Sequence, residues 1–159
     1  MQIYILRHAI AHTARPGERD SERALTAEGR ERLAAVLRRA REAGVRPQAI
    51  LSSPYKRAIE TAAIAADELG FSGAVESCAA LTPGASPYDA WEEIRARREA
   101  DALLLATHQP FAGSMTAFLL ASPALEIDVK KAALIRVDCD GFGPHPHGVL
   151  KWMLTPALA

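Results

Sequence analysis

Three short apolar runs in this chain each stop on a polar element able to do chemistry, and stretches with helical spacing lie between them. Gln2-Ile3-Tyr4-Ile5-Leu6 runs into Arg7-His8, Ala49-Ile50-Leu51 into Ser52-Ser53-Pro54, and the run Ala102 to Thr107 into His108. The last run is apolar without alternation, the pattern of a strand covered on both faces. Strands alternating with helices predict an α/β fold, a three-layer sandwich with a mostly parallel central sheet. Ala132 to Val137 and Val149 to Leu154 flank a Gly/Pro/His loop and are expected to close the chain as an antiparallel hairpin.

Helix boundaries follow from capping chemistry. Thr26 reads as an N-cap with Glu28 in the first turn, Leu33, Val36, Leu37 and Ala40 follow at helical spacing, and Arg41 and Gly44 mark an end near Ala43. Ser53 before Pro54 predicts a cap and first helical position for a helix to about Leu69, and Ser86-Pro87 repeats that signal for a helix carrying Trp91 and Ile94. Ala74-Val75 is a weak strand candidate. Pro110 is expected to open a helix on which Phe111, Met115 and Phe118 share a face, and residues 11–24, with Pro16 and Gly17, read as a loop.

Composition narrows the function classes. With 159 residues the chain fits one domain, residues 1–159, able to bury about two thirds of its unfolded surface without metal or disulfide. Its 19 Lys and Arg balance 19 Asp and Glu, which excludes broad electrostatic binding to nucleic acid or an anionic membrane. The absence of a long apolar run or a signal-peptide pattern predicts a cytoplasmic protein. Cys78 and Cys139 read as buried small hydrophobes, and neither has an Arg six residues later, so a cysteine-based phosphatase is excluded. Asp138-Cys139-Asp140-Gly141 and His145-Pro146-His147 read as turns, and the arginine-rich face of the first helix as solvated.

In an open α/β sheet, ligands bind at the carboxyl edge of the strands, which is where the three polar elements would meet. Arg7, His8, Arg57 and His108 would then converge. Two guanidiniums offer planar forks of N–H donors suited to phosphoryl oxygens. A neutral imidazole among them is a nucleophile at pH 7, and a second can donate to oxygens that gain charge in the transition state. Phosphoryl transfer is the simplest reaction that uses this set.

These residues resemble the histidine phosphatase superfamily, also called the phosphoglycerate mutase-like fold. Leu6-Arg7-His8-Ala9 is similar to its signature strand end, the stretch Ser52 to Ala62 to its second motif, and Ala106-Thr107-His108-Gln109-Pro110 to its third. The short length, the stretch Asp20 to Gly29 and Leu81-Thr82-Pro83-Gly84 point within it to SixA-type phosphohistidine phosphatases. The resemblance implies His8 as the nucleophile that becomes phosphohistidine, with Arg7, Arg57 and His108 as the anion cradle and Arg23 as a substrate-binding addition. It implies no metal or organic cofactor, and as partner a phosphohistidine-bearing protein such as a phosphotransfer domain or a phosphotransferase-system carrier. A monomer is expected.

Two positions depart from the family pattern. Ala9 stands where glycine is usual, a small change if the backbone stays out of the left-handed region. More consequentially, Cys78-Ala79-Ala80-Leu81-Thr82 supplies no carboxylate where many members carry a general acid. An alkoxide leaving group needs that acid, worth roughly 10²–10⁴-fold, whereas a phosphorylated imidazole protonated on its distal nitrogen leaves as a neutral ring. The chain therefore leans towards phosphohistidine. Glu76, Asp89 and Glu92 lie close enough in sequence to serve as acid for a small phosphomonoester, which is the first alternative. The second is a non-catalytic module that binds phosphate or a phosphoprotein.

Overall fold

The computed structural model describes all 159 residues. Strand β1 (Gln2–Arg7) is followed by a short 3-10 turn at Asp20–Glu22 and then by α1 (Ala27–Glu42). Next come β2 (Ala49–Ser52), α2 (Lys56–Leu69), β3 (Val75–Ser77) and α3 (Pro87–Arg95). The chain then forms β4 (Ala102–Thr107), α4 (Phe111–Leu119), β5 (Leu134–Asp138) and β6 (Val149–Leu154). No helix is long and apolar enough to cross a membrane.

The six strands form one sheet in the order β3-β2-β4-β1-β5-β6. β1 to β4 are parallel, β5 runs against β1, and β6 runs against β5, so the expected terminal hairpin is present. Strand periodicity divides the core in two. Tyr4, Leu6, Ile50 and Leu104 face α1 and α2 in one cluster, while Ile3, Ile5, Leu51, Leu103 and Leu105 face α3 and α4 in the other. Every residue of β4 is buried, which explains its unbroken apolar sequence. Both cysteines are free and buried.

The register brings three chain segments to one edge. β1 and β4 pair in phase, Arg7 opposite Thr107, and the His8 amide extends that ladder by donating to the Thr107 carbonyl (2.8 Å). On the other side of β4, Ser52 pairs with Ala106 and the Ser53 amide donates to the Ala106 carbonyl (3.0 Å). The residues after β1, β2 and β4 are thereby level with one another.

α1 locks the loop that follows His8. Thr26 caps this helix by accepting from the Gly29 amide (2.9 Å), and the Thr26 amide donates to the Ile10 carbonyl (2.9 Å). Gly29 is required there, since a Cβ would stand 2.3 Å from the Ile10 oxygen.

Three boundaries differ from expectation, the first being that β5 begins at Leu134 rather than Ala132, whose φ of +62° is not that of a strand. α2 starts at Lys56 rather than Pro54: Tyr55 holds the cap position, and its carbonyl accepts the first helical bonds from the Ala58 and Ile59 amides (2.9 and 3.0 Å). The weak strand lies at Val75–Ser77 rather than Ala74-Val75, fixed by pairing with β2 at a partly exposed sheet edge. Ser86 caps α3 as expected, accepting from the Tyr88 amide (3.2 Å).

Candidate active site

The carboxyl edge carries two imidazoles whose ring centroids lie 5.1 Å apart, His8 after β1 and His108 after β4. Both are buried, at 7% and 1% exposure, and buried Arg57 reaches His8 from the first turn of α2. Each ring has its protonation pattern set by its partners. His8 Nδ1 lies 2.7 Å from the Ala9 carbonyl, which can only accept, so the ring proton sits on Nδ1. That leaves the lone pair on Nε2, and Arg57 Nε–H donates to it (3.2 Å). A nucleophilic nitrogen is thus presented beside a guanidinium.

His108 is the complementary case. Its Nε2 lies 2.8 Å from Ser53 Oγ, which also accepts from the Tyr55 amide (3.3 Å). His108 Nε2 is the acceptor in reach of the Ser53 hydroxyl, whose donation puts the ring proton on Nδ1. That nitrogen is buried with no protein partner. A buried N–H without an acceptor is costly, and it matches a site built for an anion's oxygen. Tyr55 packs edge-on against His108 (5.0 Å between centroids) and lies under the Arg57 guanidinium (5.0 Å).

Burial lowers the pKa of His8 to about 4, helped by Arg57 and Arg7 and opposed by the bond to Ala9. Burial also lowers His108 to about 3, helped by His8 and Arg57. Both rings are therefore neutral at pH 7. Arg7 places Nη1 2.6 Å from the Val129 carbonyl, and its Nε is buried without a partner. Burial pulls its pKa down.

The remaining candidates are placed differently. Arg23 makes no hydrogen bond to either imidazole; it donates to the His12 carbonyl (2.7 Å) and to Asp20 (2.9 Å). Glu76 is engaged by Arg97 (2.6 Å) and Glu92 by Arg95 (2.7 Å), while Asp89 lies in the first turn of α3. None of these three carboxylates bonds to His8 or His108. Cys78 to Thr82 sits at the carboxyl edge, its Cys78 amide on the Ser52 carbonyl (2.8 Å), with no carboxylate of its own. Ala9 is buried and has no positive φ, and its amide donates to Thr61 Oγ1 (3.2 Å), so its methyl is accommodated without strain.

Two site residues escaped the sequence reading. Ser53 looked like a helix cap but polarises His108. Asp20 lay in a polar loop; its backbone carbonyl and carboxylate accept from Arg57 Nη1 (2.7 Å) and Nη2 (3.0 Å). Hydrogen bonds from Arg23 and Arg57 hold the Asp20 carboxyl below its usual pKa. The one legible signal was its spacing of three residues from Arg23.

Residues 3–82 match the sequence model of the histidine phosphatase superfamily, branch 1. The chain belongs to the histidine phosphatase superfamily. It is a phosphatase by that membership. An uncharacterized protein of Picosynechococcus is 35% identical over 137 residues, covering 85% of this chain and 83% of the relative. Among solved structures, the protein histidine phosphatase SixA complexed with tungstate superposes with a TM-score of 0.86 at 24% identity, covering 99% of this chain and 98% of that one. A protein of Agrobacterium tumefaciens described as a putative phosphohistidine phosphatase SixA gives 0.83 at 24% identity, covering 98% and 97%. A mycobacterial glucosyl-3-phosphoglycerate phosphatase gives 0.70 at 15% identity, covering 94% and 96%. These likenesses establish the phosphoglycerate mutase-like fold, the three-layer α/β arrangement expected from the sequence.

Proposed function

We propose that this single domain is a phosphohistidine phosphatase of the SixA type, acting on a phosphorylated histidine of a phosphotransfer domain or phosphotransferase-system carrier. The observation that carries the reading is the His8–His108 pair, one ring offering a lone pair beside Arg57 and the other a buried N–H without a partner. In the first step His8 Nε2 attacks phosphorus; its N–P bond forms as the substrate's N–P bond breaks. The substrate imidazole, protonated on its other nitrogen, leaves neutral. Water then cleaves the His8 phosphoramidate, releasing inorganic phosphate and restoring the lone pair.

Arg57, Arg7 and His108 Nδ1–H supply positive charge and donors to the oxygens in flight, the kind of preorganised stabilisation that costs no reorganisation during the reaction. Arg23 reaches the site only through Asp20, so its part is to steer the anion inward. The carboxylate-free stretch at residues 78–82, with Glu76 and Glu92 tied to arginines, supports a leaving group that needs no general acid. A second reading, hydrolysis of a small phosphomonoester, draws on Asp89, the one of the three acid candidates without an ion pair.

The two readings separate when hydrolysis of a phosphohistidine protein is compared with a panel of sugar and nucleotide phosphates. Phosphohistidine is expected to lead in kcat/KM, with Asp89→Asn harmless to it. A preference for esters that is lost in Asp89→Asn would replace the first reading by the second.

A further inference from the structure

Arg7, the residue before His8, borders a cavity of about 490 Å³ whose lining also includes Arg32, Lys130 and Lys131 against a single carboxylate, Asp128. Such a concentration of positive charge stands out on a chain with no formal net charge. Two of the cations are compensated: Arg32 pairs with Glu28 (2.6 Å) and Lys130 with Asp128. Arg7 and Lys131 have no ion-pair partner, and Lys131 makes no side-chain hydrogen bond either. Arg7 donates to the Val129 carbonyl (2.6 Å), but no carboxylate neutralises either charge.

The position of Lys131 relative to the nucleophile is fixed by backbone. The next residue, Ala132, has φ +62° and its amide is shared between the carbonyls of Arg7 and His8 (3.2 Å each). The Arg7 amide in turn donates to the Ala133 carbonyl (3.1 Å). A left-handed alanine is disfavoured, so this local geometry is kept at a conformational cost. Its result is an exposed lysine held next to the phosphoryl site with Arg7 common to both. Lys131 is close enough for its charge to help lower the pKa of His8.

We propose that this cavity is a second anion subsite, which takes a carboxylate carried by the substrate next to its phosphoryl group, with Lys131 as the residue that reads it. In a protein substrate the carboxylate belongs to an Asp or Glu flanking the phosphohistidine; in a small molecule it is part of the phosphorylated compound itself. The inference rests on the reading above only for its choice of protein substrate. The Asp128 carboxylate is taken up by Lys130, so Lys131 and Arg7 are the cations of the lining that no carboxylate answers. Electrostatic complementarity of this kind selects among partners more than it adds raw affinity.

The test uses two substrate or ligand pairs that differ by one carboxylate. The first is a phosphohistidine peptide flanked by Glu and the same peptide flanked by Gln, compared in KM. The second needs no turnover: 3-phosphonopropionate against propylphosphonate, compared in Kd by calorimetry. The acidic member is expected to be favoured by about threefold to fivefold, the scale of one exposed ion pair, and less at high salt. Lys131→Ala should abolish that preference, Lys131→Glu reverse it and Lys131→Arg preserve it.

A preference confined to the peptides assigns the carboxylate to a protein substrate, and one confined to the phosphonates assigns it to a small molecule. Equal treatment within both pairs by the wild type, or a preference that survives Lys131→Ala, overturns the subsite. Turnover of both peptides without a preference would leave the phosphohistidine reading standing while the subsite falls. Failure to cleave either peptide, with the phosphonate preference intact and dependent on Lys131, would do the opposite.

Discussion

The imidazole pair and the Asp20–Arg23 turn meet at Arg57, yet they are built in opposite ways. His8 and His108 stand one residue past two central strands, with positions dictated by an in-phase parallel ladder and rings enclosed by the core. Asp20 opens and Arg23 follows a 3-10 turn with no buried residue, tied down by hydrogen bonds of these side chains. The ladder places its groups by backbone pairing and burial, and the turn places its groups by exposed side-chain contacts. Arg57 belongs to both, with Nε on His8 and its two terminal nitrogens on Asp20.

Arg57→Ala should therefore have the largest effect of the substitutions around the imidazoles, because it removes the donor at His8 Nε2 and releases the turn together. By comparison with loss of a single oxyanion donor, kcat for a phosphoramidate should fall by about 10²–10³-fold. A loss under tenfold would reduce Arg57 to an anchor for Asp20. Ser53→Ala acts on the rigid side alone. It removes the hydroxyl that fixes the His108 proton, a neutral hydrogen bond worth about 1 kcal/mol, so kcat should drop about fivefold with little change in KM. An unchanged kcat would show that His108 holds its tautomer without help.

Acid separates the two regions as well. The ordinary histidine pKa is 6.5, but His8 is held at about 4 and His108 at about 3. The activity profile should stay flat from pH 7 to about 5 and fall only towards pH 4; an inflection near 6.5 would mean the rings are not protected as described. Stability carries the same sign. Below 6.5 the unfolded chain's histidines take up protons while the folded ones do not, so stability declines as pH drops and levels off below the folded values. Asp20, held below its ordinary 3.8, adds a loss at the acid end of that range as it is protonated.

The smallest effect is expected at the turn. The Asp20 side chain is 58% exposed, so its ion pair with Arg57 is worth little, and in Asp20→Asn tungstate should bind up to about fivefold more tightly as competition for Arg57 is relieved. Binding weakened tenfold would instead make Asp20 the residue that holds Arg57 in place.

The same contrast governs what could be read from the sequence. β1 and β4 announced themselves because a strand buried on both faces must be apolar throughout, and the polar residues after them then had to lie at the sheet edge. His8 and His108 were legible for that reason, and Arg57 by its place in the motif that follows β2. The role of Ser53 was not, because a serine before a proline is equally a helix cap, and only the folded placement of Tyr55 at the cap and of His108 beside the hydroxyl decides between the two. Asp20 was hidden since nothing in a polar loop states which way a short turn folds back. β3 was misplaced by two residues at its end, being three residues long at an edge where burial imposes almost no pattern.

Rapid-quench analysis of the wild-type protein mixed with a phosphohistidine protein addresses the chemistry most directly. An acid-labile, alkali-stable phosphate on His8 is expected to form before inorganic phosphate appears and to decay with it, and His8→Ala should show neither. Steady release of phosphate by His8→Ala, or phosphate that never passes through this side chain, would contradict the role given to the imidazole pair.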